Sequence, residues 1–424
     1  NAGSDGIKST YDTDTTKGNV IIEGGNITIK ASNDGIQAEN ILVINDGTIN
    51  IKTNNGAADT TQTHTDNMDM DRGGFGFNNN KTTTTTDDTV ESRKGIKAGN
   101  MLIINDGDIT IDSDDDSVHC NSEIYIYGGT INAATGDDGV HADDLLTVNG
   151  GTINITQCYE GIEADDIVIN DGDISVVSSD DGINSSDGSI TINGGNLLIN
   201  ASGDGLDANG SIIINGGYIV VLGPTSDGDT AIDYDDSCTI NGGTVMAFGS
   251  SGMLEIPKGA SNGACIVTAF TSVSGGSKYT LSDSNGNEIL SYTPSKAYAA
   301  AIVYSDKITT GNTYNITAGS TTLSIEVTSD VTSNVSSGLG KAGGMNMPGN
   351  GGSGMPNNGS SDNGMNGNSN GSMPDMSGNG APDMNGNSSG DMPSMGGNSS
   401  NNGGNMPNMN NGSSNGSAPQ MNNR

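Results

Sequence analysis

The sequence has little material for a thick hydrophobic core. It contains no tryptophan and only four phenylalanines, and 31% of its 424 residues are hydrophobic. A compact globule needs many large buried side chains, so this composition disfavours one. A thin repetitive fold, filled by isoleucine, valine and alanine, suits the composition better.

Positive charge is also scarce. Lysine and arginine number 15 against 51 acidic residues, which gives a formal net charge of −36. This balance excludes direct electrostatic binding to nucleic acid or to an anionic membrane. No apolar run is long enough to span a bilayer. The sequence starts without a methionine or a signal peptide and is rich in Asn, Thr and Asp, so we expect a processed chain that is extracellular or at the cell surface.

Cysteines and catalytic motifs are few. Four cysteines are too few for a disulfide scaffold. Cys120 falls at a repeat position that alanine holds elsewhere, so we expect a buried free thiol there. Three histidines and the lack of a G-x-S-x-G motif leave no readable nucleophile–base arrangement, and we expect a protein that is not an enzyme.

One internal repeat dominates residues 1–254. Its phrase is roughly Asp-Gly-Ile-x-Ala, a short hydrophobic alternation, an Asn-Gly-Gly corner and a second alternation. It recurs every 21 to 26 residues, apart from two wider gaps. A period this short is typical of a solenoid, in which each turn contacts only its neighbours. We call the isoleucine of the Asp-Gly-Ile-x-Ala phrase, or the residue that replaces it, the column residue of its repeat. The nine column residues are Ile7, Ile36, Ile96, Val118, Val140, Ile162, Ile183, Leu206 and Ile232.

The pattern inside each repeat predicts strands. Apolar residues alternate with polar ones, as at Leu146 and Val148, and glycines mark the corners. Successive copies run in the same direction, so their strands should pair in parallel with right-handed connections. The sequence predicts an all-β protein, a right-handed parallel β-helix of about nine rungs of about 22 residues, with the corner asparagines stacked in a ladder.

Three segments depart from the repeat. Residues 54–92 are polar and turn-rich, and predict an inserted loop. Residues 255–335 predict a small β domain that caps the helix end. Residues 336–424 are mainly Gly, Asn, Ser, Pro and Met, and predict a low-complexity tail that is disordered or serves assembly. Paired methionines in the tail are soft ligands of the kind that Cu(I) prefers, but a flexible tail is the favoured interpretation.

Acidic residues recur at fixed places in the repeat. Seven of the nine residues two places before the column residue are acidic, and further acids precede them or follow the alanine. Neighbouring rungs lie about 4.8 Å apart, where two carboxylates repel by about 0.9 kcal/mol in water and about 3.5 kcal/mol at an effective dielectric of 20. Ca²⁺ takes about six to eight oxygens at roughly 2.3–2.6 Å and fits between rungs. The pattern favours calcium sites over the alternative, a solvated acidic edge.

Few basic side chains lie near these acids. Arg93, Lys94 and Lys97 form a basic cluster on the rungs beside the insertion. A calcium-dependent lyase acting on uronic acids would need such a base, which makes Arg93 or Lys94 a weak catalytic hypothesis. His119 and His141 share a column on neighbouring rungs, either as metal ligands or as plain surface histidines. All five are candidate ligand-binding residues.

The phrases DGIQAENILVINDGTINI, KGIKAGNMLIINDGDITI and DDGVHADDLLTVNGGTINI resemble a bacterial secreted family of carbohydrate-binding β-helix proteins, relatives of the pectate-lyase-like superfamily. The resemblance extends to LSDSNGNEILSYTPSKAY and so covers about residues 1–335. It implies binding of Ca²⁺ and of acidic plant polysaccharide, polygalacturonate in particular, without established cleavage. The calcium ligands it implies are drawn from Asp116, Asp137, Asp138, Asp143, Glu160, Glu163, Asp165, Asp181 and Asp204.

Our leading hypothesis is therefore an extracellular β-helix that binds Ca²⁺ and, through it, an anionic polysaccharide. The alternative is a structural subunit of a calcium-dependent filament, because a rung-like sequence starts at Asp5 with no cap before it and bare strand edges template other chains. The full set of candidate metal ligands is Asp116, Asp137, Asp138, Asp143, Asp144, Glu160, Glu163, Asp165, Asp166, Asp180, Asp181, Asp187, Asp204 and Asp207.

Overall fold

A computed structural model describes residues 1–11, 14, 16–57 and 92–335. Within these ranges the protein is all-β and contains no helix, and its main body is a β-solenoid of about nine turns of about 22 residues. No helix of the described ranges could therefore cross a membrane. The predicted inserted loop, residues 54–92, falls almost wholly outside the described residues. The predicted tail, residues 336–424, also lies outside them, and so do its methionine pairs and any part it has in assembly.

Each turn contributes strands to three faces, and two sheets form these faces. The first face holds the Asp-Gly-Ile-x-Ala segments, which are β1 (Ile7–Ser9), β4 (Ile36–Ala38), β7 (Ile96–Ala98), β10 (Val118–Cys120), β17 (Ile183–Ser185) and β20 (Leu206–Ala208). The second face holds β2 (Val20–Ile22), β5 (Ile41–Ile44), β8 (Met101–Ile104), β11 (Glu123–Ile126), β18 (Ile190–Ile192), β21 (Ser211–Ile214), β23 (Ser237–Ile240) and β25 (Gly259–Ala260). Two longer strands run through both faces, β13 (Val140–Val148) and β15 (Ile162–Ile169).

The third face follows the Asn-Gly-Gly corner. It consists of β3 (Asn26–Ala31), β6 (Thr48–Thr53), β9 (Asp108–Ser113), β12 (Thr130–Thr135), β14 (Thr152–Cys158), β16 (Asp173–Ser178), β19 (Asn196–Asn200), β22 (Tyr218–Leu222) and β24 (Thr244–Gly249). All pairs among these nine strands are parallel. Side chains alternate between the interior and the surface, as the period-2 pattern predicts.

The register confirms the predicted column. Ile36 pairs directly with Ile96 although the insertion separates them in sequence, and Leu206 bridges to Ile232 at the last turn. From Ile36 onward these column residues are fully buried, and together with the inward residues of the other faces they form one continuous core. Cys120 lies in the alanine column between Ala98 and Ala142, where it is a buried free thiol as predicted.

The corners between the second and third faces carry the predicted asparagine ladder. The side-chain amide of Asn105 donates to Asn45 at 2.8 Å, and that of Asn193 donates to Asn170 at 2.8 Å. The ladder continues through Asn215 and Asn241. The last residue of each corner is a glycine with a positive φ, for example 128° at Gly47, a conformation that side chains disfavour.

Beyond the solenoid the sheet changes direction. The third face continues through β29 (Tyr298–Ser305), β26 (Ala264–Val273) and β32 (Val331–Ser333), of which β29 runs antiparallel to both neighbours. A separate antiparallel sheet has the order β28 (Glu288–Tyr292), β27 (Tyr279–Asp283), β30 (Thr313–Ala318) and β31 (Thr321–Glu326). Its core packs Phe248 of the solenoid edge-on against Tyr279 and Tyr298. The assignment of residues 255–335 as a separate domain stays a prediction.

The close stacking of turns makes the glycine before each column residue hard to replace. A Cβ on Gly161 would lie 2.2 Å from the carbonyl oxygen of Gly182 and 2.4 Å from Cγ1 of Val176. We expect Gly161→Ala to destabilise the fold by about 3 kcal/mol, because the backbone of the next turn cannot move aside. Chemical denaturation measures this. Gly228→Ala is the matched control, since its Cβ would meet nothing within 4 Å; equal losses in the two variants would contradict the argument.

Candidate metal and carbohydrate site

The corner between the third and first faces gathers the acidic residues. We call this the acidic corner and define it by the nine residues two places before the column residues, namely Asp5, Asp34, Lys94, Asp116, Asp138, Glu160, Asp181, Asp204 and Thr230. Six of the seven carboxylates in this set accept a hydrogen bond from the backbone N–H at the same position of the next turn, namely those of Asp5, Asp34, Asp116, Asp138, Asp181 and Asp204. Examples are Asp138 N–H to Asp116 at 3.1 Å and Asp204 N–H to Asp181 at 2.6 Å. This explains why the column is acidic even before any ligand is considered.

A second column runs beside the acidic corner. The central residue of each first-face strand points outward, and the register places Lys97, His119, His141, Glu163, Asn184 and Asp207 on successive turns. Side chains from the two columns therefore meet at the surface of the first face. The structure thus brings the predicted acids, the histidines and Lys97 together along one edge of the solenoid.

Basic side chains neutralise the acids on the turns nearest the insertion. The ammonium of Lys94 lies 2.9 Å from Asp115 and 2.5 Å from Asp116, and Arg93 lies 2.7 Å from the fully buried Asp114. Burial would lower the pKa of Lys94, but the carboxylates of Asp116 and Asp115 outweigh it and raise that pKa. Burial likewise opposes ionisation of Asp116, yet Lys94 and His119 hold its pKa well below the usual range.

The two histidines serve the next turns in the same way. His119 Nδ1 lies 2.8 Å from Asp116, and His141 Nδ1 lies 3.0 Å from both Asp138 and Glu163. Burial disfavours the charged imidazole, but the bonds to these two carboxylates raise the pKa of His141 to about 11. His141 therefore carries a positive charge at neutral pH and pairs with Asp138 and Glu163. The same atoms also form groups that could hold a metal ion, Asp116–His119–His141 and Asp138–His141–Glu163.

The turns further from the insertion differ. Among the described residues no ion pair reaches Asp181 or Asp204, since the basic side chains of the corner end at the turns of Asp138 and Glu163. Burial, followed by the neighbouring carboxylates of Asp207 and Asp180, raises the pKa of Asp181 to about 8. Burial, followed by the charges of Asp181 and Asp207, raises that of Asp204 to about 9. Asp181 and Asp204 are therefore half-buried carboxylates that no cation from the described ranges neutralises.

Asp181, Asp204 and Asp207 form the group that best fits an external cation. Each offers a carboxylate oxygen, and the three oxygens lie within 4.8 Å of one another. A cation with bonds of roughly 2.3–2.6 Å can therefore contact all three. The next residue of the column, Thr230, has a buried hydroxyl with no hydrogen-bond partner among the residues that the structure describes. The donor set consists of hard oxygens, which Ca²⁺ and Mg²⁺ prefer over softer metals.

The remaining candidate ligands lie apart from these groups. Asp165 and Asp166 bond to the next turn through Ser186 Oγ and Ser189 N–H, and Asp144 accepts a bond from Ser122. Asp143 and Asp187 are exposed, although Asp143 approaches His141 at 3.5 Å. Asp180 acts through its charge on Asp181, and burial followed by the charges of Glu163 and Asp138 raises the pKa of Glu160 to about 9. The predicted set is therefore wider than the groups that the structure assembles.

Three residues of the acidic corner and its surroundings, Asp114, Asp115 and Thr230, were outside the predicted ligand set. Asp115 forms a further acidic group with Asp116 and Asp137, and Asp114 binds Arg93 and Asn54. The run of three aspartates at 114–116 was the available signal. Thr230 also escapes the acid pattern, and only its place in the repeat, one turn after Asp204, marks it.

Fold and site together define a β-solenoid with an acidic edge. The model of a family of carbohydrate-binding domain-containing proteins matches residues 1–139 and 137–374. These matches span most of the chain, so the protein belongs to this family, which indicates a non-catalytic binding role. No curated protein and no solved structure matches the chain.

Proposed function

We propose that this protein is an extracellular module that binds acidic polysaccharide through Ca²⁺ held by Asp181, Asp204 and Asp207. Family membership supports carbohydrate as the ligand class. The observation that carries the proposal is the contrast along one corner: Lys94, Arg93 and His141 neutralise the acids of some turns, whereas within the described part of the chain no such pair reaches Asp181 or Asp204.

The proposed calcium ion would overcome the electrostatic repulsion between the protein and an acidic polysaccharide. The protein carries a formal net charge of −36, so a polyuronate chain would be repelled from its surface. A divalent ion with open coordination positions can accept carboxylates from both partners, because Ca²⁺ takes about six to eight oxygens in flexible geometry. The three aspartates leave room in such a shell for uronate carboxylates and hydroxyls. Polygalacturonate, with one carboxylate on every sugar, matches this requirement.

A pull-down on insoluble polygalacturonate tests the proposal. We expect the protein to bind in millimolar Ca²⁺ and to be released by a chelator. Asp204→Asn should weaken retention about tenfold or more, since it removes one charged ligand. Asp187→Asn is the matched control, because Asp187 is an exposed acid on the same turn as Asp181 but outside the three-residue group. Retention that survives chelation would refute the calcium bridge.

The contacts of Lys94 and Arg93, the two candidate bases, give little support to the lyase alternative. Lys94 is held by two carboxylates and its raised pKa disfavours proton abstraction at neutral pH. Arg93 is engaged with Asp114. A lyase would produce unsaturated uronides that absorb in the ultraviolet, and their formation from pectate and Ca²⁺ would reopen this alternative.

A further inference from the structure

A groove of about 510 Å³ lies where the solenoid meets the C-terminal strands, which fall within one compact unit of the chain. Its floor runs across three adjacent strands, since Tyr218 pairs with Thr244 and Thr244 pairs with Ser305. One wall is the edge strand β28 at Ser291, and the other is the turn at Asp306 and Lys307. The groove begins at the Asn-Gly-Gly corner, so the full length of a third-face strand separates it from the acidic corner.

The chemistry of the groove suits one class of ligand. Tyr218 is 45% exposed, so it offers part of its ring to a ligand in the groove. Asp306 and Lys307 are both exposed at the rim, so the groove combines an acceptor and a donor of opposite charge with serine and threonine hydroxyls. An aromatic face beside a few fixed polar groups is the arrangement that binds rings with one apolar face and a polar edge.

We propose that this groove is a second carbohydrate site, which takes a neutral pyranose chain by stacking one sugar ring on Tyr218. The adjacent strands are about 4.8 Å apart, so a flat chain crossing them can place the next sugar over Thr244, which is partly exposed. Asp306 accepts bonds from vicinal hydroxyls and Lys307 donates to a ring or hydroxyl oxygen. The charges of the rim cancel, and this favours an uncharged ligand over a uronate. The inference shares with the proposed function only the assignment to carbohydrate and needs no cation.

Calorimetric titration with β-1,4-linked hexasaccharides of glucose, xylose and mannose, all in the presence of a chelator, tests this site. We expect the intact chain to bind at least one of them. Tyr218→Ala should weaken that binding about tenfold because it removes the apolar ring surface under the sugar, whereas Tyr218→Phe keeps the ring and should preserve binding. Asp306→Asn should weaken it severalfold. Unchanged melting temperatures of the variants show that the fold is intact.

Tyr127→Ala is the matched control, because Tyr127 is 52% exposed at another corner and lies outside the groove. Loss of binding in Tyr127→Ala with retention in Tyr218→Ala would overturn the proposal, and so would a chain that binds none of the three sugars. Tyr218→Ala should bind polygalacturonate in Ca²⁺ as the intact chain does. That comparison separates failure of this site from failure of the calcium bridge.

Discussion

Replacement of Lys94 by methionine is expected to lower the free energy of unfolding by about 3–5 kcal/mol. The ammonium of Lys94 contacts Asp115 and Asp116, and both carboxylates are buried. Methionine keeps much of the side-chain volume but removes the charge, so both carboxylates lose the ammonium and only Asp116 keeps its contact with His119. Denaturant unfolding in a chelator measures the loss.

A surface lysine provides the control for this change. Lys278 forms an ion pair with Glu288 at 3.0 Å in which both side chains are half exposed, so water screens the pair and Lys278→Met should change the stability little. Added Ca²⁺ should restore part of the stability of Lys94→Met, because Asp115, Asp116 and Asp137 already form a group that could hold an ion. Equal effects of the two substitutions would show that the Lys94 cluster does not stabilise the fold.

The columns of the solenoid could be read from the sequence because of how a solenoid is built. Each strand pairs in register with the strand one repeat away, so residues at the same repeat position must stack. For this reason Ile7 through Ile232, Cys120 and the corner asparagines lie where the repeat predicts them. The handedness of the coil is not fixed by this argument and stays a prediction.

The behaviour of the acids could not be read in the same way. The repeat treats Asp116 and Asp204 as equivalent, whereas their pKa values are shifted in opposite directions. The difference arises from the reach of single side chains, above all Lys94, which breaks the repeat and places its ammonium against the next turn. The hydrogen bonds from backbone N–H groups to the carboxylates of the acidic corner could not be predicted either, because they depend on the backbone conformation of the corner.

Calcium is expected to raise the melting temperature strongly, and more so at higher pH. A ligand that binds only the folded state stabilises it by about 2.7 kcal/mol at 100 times its dissociation constant. Without a cation, the pKa values of Asp181 and Asp204 are raised from 3.8 to about 8 and about 9. Groups whose pKa is raised by folding stabilise the protein fully below the unfolded value near 3.8, and that contribution is lost as the pH rises through the folded values.

Melting curves at pH 5, 7 and 9 in chelator and in millimolar Ca²⁺ should therefore diverge. In chelator the melting temperature should fall across this range, whereas bound Ca²⁺ takes the place of the protons on Asp181 and Asp204 and should largely prevent the fall. Mg²⁺ should protect much less, because it demands tighter octahedral geometry. The double substitution Asp181→Asn with Asp204→Asn should flatten the pH dependence in chelator and remove most of the calcium effect. Equal protection by Mg²⁺ and Ca²⁺, undiminished in the double variant, would mean that the ions merely screen the charge of the acidic corner.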